Sequence, residues 1–399
     1  MSLLTPAFNP EKWIWPNVRD LLDGQVMGLS DLGPPPDTHV LISGAFNNPG
    51  PVVQPGFVRA FSESDNAALF HGSDAVGETS GRRLALARWL TVADTPAAGL
   101  VSRVMVNRLW QHLFGRGIVA TPDNFGVGGA RPTHPDLIEH LAGELAHHGW
   151  HRKQVIRKIV TSTVYRQAST QVSQEDASKT KALPPAPSAV SGRHLVDPEN
   201  HLLWRMPLRR LESEVIRDAM MSVSGRLNHR LGGPPIPLTE FSLEVKKIDI
   251  EKLSAPADLW RRSIYLSGKG LREGMHLTLL SVFDQPIMTT NCIRRRSSNV
   301  VTQSLTLLND AFVLENADAF ARRVQDLAGP DLRVQIDTAF RIALGRPAQP
   351  DEIAWSVTLL QDQTAAFHRE PVSPEQASEQ ALATLCHALL NSSNFLYLE

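Results

Sequence analysis

Two groups of polar residues have types and spacing that could do chemistry. The first is Arg103, Asn107 and Arg108 on one helical run, with Asp123 and Asn124 in the loop beyond it. The second is Arg210, Glu214, Arg217 and Asp218. Positions 210, 214 and 217 stand at i, i+4 and i+7, so a helix would place them on one stripe. Carboxylates set among guanidiniums can serve two ends. Two carboxyls ~5–10 Å apart across a cleft, for instance Asp123 and Glu214, could divide acid and base roles in glycoside hydrolysis. Alternatively the charges are buried and fix helix register, and a Glu stranding two Arg on removal would then cost ~3–5 kcal/mol. Of the two, the structural network carries more weight; the same stripe left exposed would be a common ladder worth less than ~1 kcal/mol.

Other chemical signals are weaker. Gly126-Val127-Gly128-Gly129 lacks the preceding strand and following helix of a nucleotide fingerprint. His147, His148 and His151 surround Gly149, which breaks the helix that would align them, and no carboxylate or Cys stands at ligand spacing. No metal is expected. Arg294-Arg295-Arg296, beside Cys292, could hold an anion but reads first as a solvated loop. Cys386-His387 are adjacent on a helix, so their side chains diverge. The hydrolase signatures most readable from sequence are missing.

The elements that must position these groups are mostly helical. Arg82–Leu90 is one helix; Thr95 and Pro96 then cap and open a second that runs to Phe114 and stops at Gly115. In it Val101, Met105, Leu109 and Leu113 recur every four residues as the expected buried stripe, with Arg103, Asn107 and Gln111 on another face. His134-Pro135 opens a helix carrying Leu137, Leu141 and Leu145, ended by Gly149, and Arg152–Val164 is the next. A helix over Leu208–Val223 is expected to bury Leu211, Val215 and Ala219. Further helices are expected at 302–308, 311–327, 332–343, 352–361 and 375–390. His39–Ile42 with Val52–Phe57, and Ser263–Leu266, are the strand candidates.

The fold class that follows is mainly α, a helical-bundle-like core in two blocks with a few short β-strands. Residues 1–78 read as an irregular tail of a preceding domain, 79–168 as the first helical block, 169–196 as a Ser-, Ala- and Pro-rich linker, and 197–399 as a second block packing on the first. The balance of 40 basic and 41 acidic residues lacks the electrostatic footprint of a general nucleic-acid binder. No apolar run approaches the ~20 residues of a membrane span. Two cysteines, both expected free, preclude a disulfide scaffold, and no Cys-x-x-Cys-His is present to attach haem. The first residues lack the basic and apolar regions of a signal peptide, so the chain is expected to be cytosolic or a fragment.

Several motifs occur together in order: Val104–Trp110, Thr121-Pro122-Asp123-Asn124-Phe125-Gly126, His134-Pro135-Asp136-Leu137, Asp197-Pro198-Glu199-Asn200, Trp204-Arg205-Met206, Arg210–Asp218, Phe283-Asp284-Gln285-Pro286 and Gln303–Asp310. They resemble a Planctomycete cytochrome-associated domain of unknown function (DUF1553, PSD1-like). That domain is the C-terminal module of large exported proteins that also carry a DUF1549-like domain. Ser43 before Gly44, and Ser298-Asn299-Val300-Val301 before Gln303, depart from its usual pattern. The resemblance implies a fragment of a periplasmic or cell-envelope protein, with haem only on a cytochrome-c-like domain outside this chain. Three functions stay open: a binding or assembly module for a cytochrome-c-like domain or an envelope glycan, a polysaccharide hydrolase, and a docking surface for a haem domain. No readable motif decides whether the chain is an enzyme.

Overall fold

The computed structural model describes residues 36–61, 80–169, 193–240, 246–266, 277–286, 292–369 and 371–398. They fall into two compact units divided between Pro207 and Leu208, beyond the stretch expected as a linker. Most of that stretch, and most of the irregular opening segment, lies outside the described residues. The architecture is mainly α, and no described helix is long and apolar enough to cross a membrane.

The N-terminal unit begins with an antiparallel hairpin, β1 (Thr38–Leu41) on β2 (Pro49–Val53). Four helices follow: α1 (Arg82–Thr91), α2 (Pro96–Phe114), α3 (Pro135–His147) and α4 (Arg152–Val160), then the short α5 (Arg193–Val196). The signals that start and stop α2 act as expected. Thr95 Oγ1 accepts from the Ala98 N–H at 3.2 Å, Pro96 takes the first turn, and Gly115 ends the helix in the left-handed region at φ 82°.

The buried stripe of α2 is displaced by one residue from the expected one. Ala98, Ser102, Val106, Trp110 and Phe114 face inward with Asn107, while Met105, Leu109 and Leu113 are only partly covered. Trp110 and Phe114 stack at 4.4 Å, and burying this aromatic pair removes more apolar surface than the Met/Leu alternative. Ile138, Leu141 and Leu145 of α3 and Val155 and Ile159 of α4 complete the core.

The C-terminal unit holds β3 (Arg209–Arg210), α6 (Ser213–Val223), the hairpin β4 (Leu238–Glu240) and β5 (Lys246–Ile248), and α7 (Thr278–Val282). The remaining helices are α8 (Val301–Asn309), α9 (Ala311–Ala328), α10 (Leu332–Leu344), α11 (Pro350–Phe367), α12 (Pro374–Leu390) and α13 (Ser393–Leu396), followed by β6 (Tyr397–Leu398). Val313, Phe320, Val324, Ile336, Leu382 and Leu390 are fully enclosed among these helices. Asp310, Asp331, Ser373 and Ser392 cap their helices with side-chain oxygens, so these helix starts are fixed by local bonds.

Two expectations here are corrected. Ser263–Tyr265 is a 3-10 turn rather than a strand, since only Leu266 bridges back to Ile236. The helix expected from Leu208 begins at Ser213, because Arg209 and Arg210 are drawn out as β3 against Leu398 and Tyr397. Its inward face is Ile216, Met220 and Val223 with Arg217, whereas Val215 is 45% exposed.

Candidate functional site

The first polar group does not converge. Arg103 turns to α3 and forks onto Glu139, with bonds of 2.6 and 2.7 Å. That hydrogen bond, aided by charge, raises the Arg103 guanidinium and lowers the Glu139 carboxyl from their ordinary values. Both side chains are well exposed, so the pair contributes at most ~1 kcal/mol.

Asn107 goes the other way. It is wholly buried, donates from Nδ2 to the Val119 carbonyl at 3.0 Å and accepts the Val119 N–H on Oδ1 at 2.8 Å. It thereby clamps the chain leaving α2. A Cβ on Gly117 would fall 2.6 Å from Asn107 Nδ2, which is why a residue without one passes there. Arg108 and Asp123 are exposed. Asn124 folds the Gly-rich loop on itself: its Oδ1 accepts from Gly126 N–H, and its carbonyl accepts from Thr121 Oγ1 at 2.8 Å. This loop is a self-bonded turn, with Val127 at its tip in solvent.

The second group is central to its unit, but its members do not pair with one another as spacing suggested. Arg210 lies on β3, outside the helix, and reaches Asp284 Oδ2 at 2.6 Å and the Ser298 carbonyl. Asp284 also accepts from the Ser298 N–H and hydroxyl, both at 2.8 Å. Burial pushes the Asp284 carboxyl up, but the Ser298 N–H and Arg210 outweigh it and leave it below the usual carboxylate range. Gln303 Nε2 fastens the same corner by donating to the Val282 and Ser298 carbonyls.

Glu214 is forked by Arg295 at 2.6 and 3.0 Å and accepts from Ser213 Oγ at 2.9 Å. Burial again opposes ionisation, and Arg295 prevails, so Glu214 stays low. The basic run at 294–296 is therefore not simply a solvated loop: its middle residue is this carboxylate's partner.

Arg217 is nearly inaccessible. Its Nη1 donates to the Arg261 carbonyl at 3.1 Å and to Ser263 Oγ at 3.2 Å, and its Nη2 to the Leu259 carbonyl at 3.2 Å. Ser263 passes the contact on, donating from Oγ to Asp218 Oδ1 at 2.7 Å, and Asp218 also accepts the Ser263 N–H. Asp218 itself stays 3.8 Å from Nη1. Burial lowers the Arg217 guanidinium to about 10, against the opposing pull of Asp218.

Arg217 forms part of the wall of a cleft of about 560 Å³ in the C-terminal unit. The remaining wall is largely apolar, with Ile248, Leu259, Trp260, Leu280 and Phe312, and the ends of α7 and α9 contribute Thr278 and Ala311. The Arg217 guanidinium lies 5.5 Å from the Phe312 ring, Trp260 stacks on Phe312 at 6.4 Å, and Arg226 lies over the Trp260 ring at 4.4 Å.

Spacing on α6 could nominate Arg217 and Glu214 but not Arg295, Asp284, Ser298 or Ser263. Asp284 belongs to the motif Phe283-Asp284-Gln285-Pro286 and Arg295 to the basic run at 294–296, and no spacing joins either to α6. No group of three or more metal-ligating side chains occurs among the described residues. His147 instead faces Asp94 at 3.3 Å, and His148 bonds to the Glu144 carbonyl.

Fold and site define a mainly α protein in two helical units, the C-terminal one with charged side chains paired in internal networks and an apolar cleft that has an arginine in its wall. A family model described as PSD1, protein of unknown function (DUF1553), matches residues 82–360, and the chain belongs to that family. No curated protein matches the chain, and no solved structure does.

Proposed function

We propose that this chain is a non-catalytic binding and assembly module of an exported bacterial envelope protein, working beside cytochrome-c-like domains. The state of the carboxylates carries the reading. Glu214 is forked on Arg295, Asp284 is held by Arg210 and Ser298, and Asp218 by Ser263. Glutamates and aspartates that act as general acids need environments that raise their pKa. Here Glu214 and Asp284 are held low. Asp123, the other carboxylate weighed for acid–base work, is exposed on a loop of the other unit.

The envelope setting, the Planctomycete context and the two partner classes, a cytochrome-c-like domain or an envelope glycan, rest on the family resemblance. Any haem would belong to the cytochrome-c-like domain.

The test incubates the folded chain with a panel of envelope polysaccharides and with a c-type cytochrome, measuring retention and the release of reducing ends together. Saturable retention of one partner with no new reducing ends is expected. Release of reducing ends that Glu214→Gln abolishes would overturn the proposal and restore the hydrolase.

A further inference from the structure

We propose that the cleft beside Arg217 is a binding site for an anionic amphiphile, a molecule with an apolar body and a single carboxylate head that meets the guanidinium. The inference extends the binding-module reading and rests on it only in taking the unit to bind without turnover.

The donor inventory of Arg217 is the first observation. A guanidinium has five N–H donors. Nη1 uses both of its own on Arg261 and Ser263, and Nη2 uses one on Leu259. One N–H on Nε and one on Nη2 remain without a partner among the described residues. A guanidinium presents such donors in a planar fork that suits the two oxygens of a carboxylate.

Charge is the second. Three of the four acceptors around this cation are neutral, namely two carbonyls and a hydroxyl chain, and the one carboxylate, Asp218, stands off at 3.8 Å and spends Oδ1 on Ser263. Two arginines nearby are matched differently, Arg210 by Asp284 at 2.6 Å and Arg295 by Glu214 at 2.6 Å. Arg261 stands 4.0 Å from its carboxylate Asp258, but it is spent on backbone carbonyls and does not line the cleft. The depressed Arg217 guanidinium agrees with a positive charge that its surroundings compensate incompletely. A ligand carboxylate would supply the missing half.

The walls decide the rest of the ligand. A cleft of about 560 Å³ lies within the range of small-molecule sites, ~300–1,000 Å³. Leu259, Leu280, Trp260, Phe312 and Ile248 offer apolar and aromatic surface with few hydrogen-bonding groups. A sugar would leave most of its hydroxyls unpaired there, at a cost for each. A bare inorganic anion would leave the walls unfilled. Asp310 does not compete for the head, because its Oδ1 accepts the Phe312 N–H at 2.9 Å as the cap of α9. Glu315 points to Arg226, 3.6 Å away.

Calorimetry on the full chain tests this with octanoate, decanoate and dodecanoate, and with dodecanol as the uncharged control. Affinity should rise about fourfold for each methylene that enters the cleft, and dodecanol should bind at least tenfold more weakly than dodecanoate. Ala311→Trp fills the cleft from an exposed position at the start of α9 and leaves the Arg217 bonds untouched, so it should weaken dodecanoate at least tenfold while the thermal transition stays in place. Arg217→Lys should lose the preference for acid over alcohol; if that variant does not fold, Ala311→Trp carries the decision. No binding of dodecanoate, equal binding of acid and alcohol, or full binding by Ala311→Trp would each overturn the site. None of these touches the non-catalytic reading, which falls only if reducing ends are released.

Discussion

Replacing Asn107 by Ala should destabilise the N-terminal unit by ~2–6 kcal/mol. The residue is fully buried, and both of its hydrogen bonds go to one backbone unit, that of Val119, itself buried. Alanine leaves an N–H and a carbonyl without partners in the core, and each such group costs ~1–3 kcal/mol. A typical domain has only ~5–15 kcal/mol in total, so the shift in a urea titration should be large. Amide exchange gives a local readout. The Val119 N–H loses its acceptor, and a loss of ~2 kcal/mol corresponds to about thirtyfold faster exchange. Asn107→Asp adds a sign test. It keeps an acceptor for the N–H but sets a carboxylate oxygen against the Val119 carbonyl. Burial and that carbonyl raise the folded-state pKa above the unfolded one, so this variant should recover stability relative to wild type as pH falls from 7 towards 4. If Asn107→Ala keeps the wild-type urea midpoint and Val119 protection, the clamp is not what holds this turn.

Asp284→Ala should cost ~3–5 kcal/mol at pH 7, since it strands the Arg210 guanidinium, whose side chain is 6% exposed. Asp284 is held below the ordinary carboxyl value, so its contribution is complete above about pH 4 and is lost as pH falls through the lower folded value; denaturation curves of variant and wild type should therefore draw together in acid, and a gap that stays constant with pH would refute the ionic account. Glu214→Ala should cost ~1–3 kcal/mol, between an exposed and a buried pair, because Glu214 and Arg295 are both partly accessible; an overlay on wild type in urea would show that Arg295 contributes nothing here. Alkylation without reductant or denaturant should label the half-buried Cys292 and spare Cys386, whose thiol is pushed up by burial, with Asp318 adding to it; labelling of Cys386 at a comparable rate would place it nearer the surface than its helix does.

The helices of this chain were legible because their signals are local. A Thr before Pro96 and a Gly after Phe114 act within one turn, and the caps that Asp310 and Ser373 make on α9 and α12 are bonds just as local. The choice of face was less secure. In α2, two rows one residue apart both carry apolar side chains, and a period of four fits either. What decides is which row brings Trp110 and Phe114 against α3 and α4, and that depends on partners the period does not name. The same slip occurs in α6, where Val215 belongs to the more regular row and Ile216, Met220 and Val223 to the buried one. Arg209 and Arg210 failed for another reason. Both are compatible with a helix, but the chain's own C-terminus supplies Tyr397 and Leu398 as strand partners, and tertiary pairing overrides propensity.

Partners of the charged residues were beyond the reach of spacing. Arg210, Glu214 and Arg217 suggested a ladder in which each charge answers its neighbour one turn away. Their actual partners lie 74, 81 and 44 residues distant, at Asp284, Arg295 and the Arg261 carbonyl. A local ladder leaves long side chains free to move and is worth little in water. Pairing with remote segments does more, because each bond then fixes how a loop meets α6. Arg217 is the exception that gives the pattern its meaning. It is more deeply enclosed than Arg210 or Arg295, yet it has no carboxylate at hydrogen-bonding distance and borders an apolar cleft. Arg261, enclosed still further, also stands off its carboxylate, 4.0 Å from Asp258, but it donates to the Pro234 and Gly232 carbonyls and does not line the cleft. Asp218 is adjacent to Arg217 in sequence and still holds Ser263 instead. That unclosed cation beside apolar walls, more than any motif, is what supports the proposal that this unit binds a ligand.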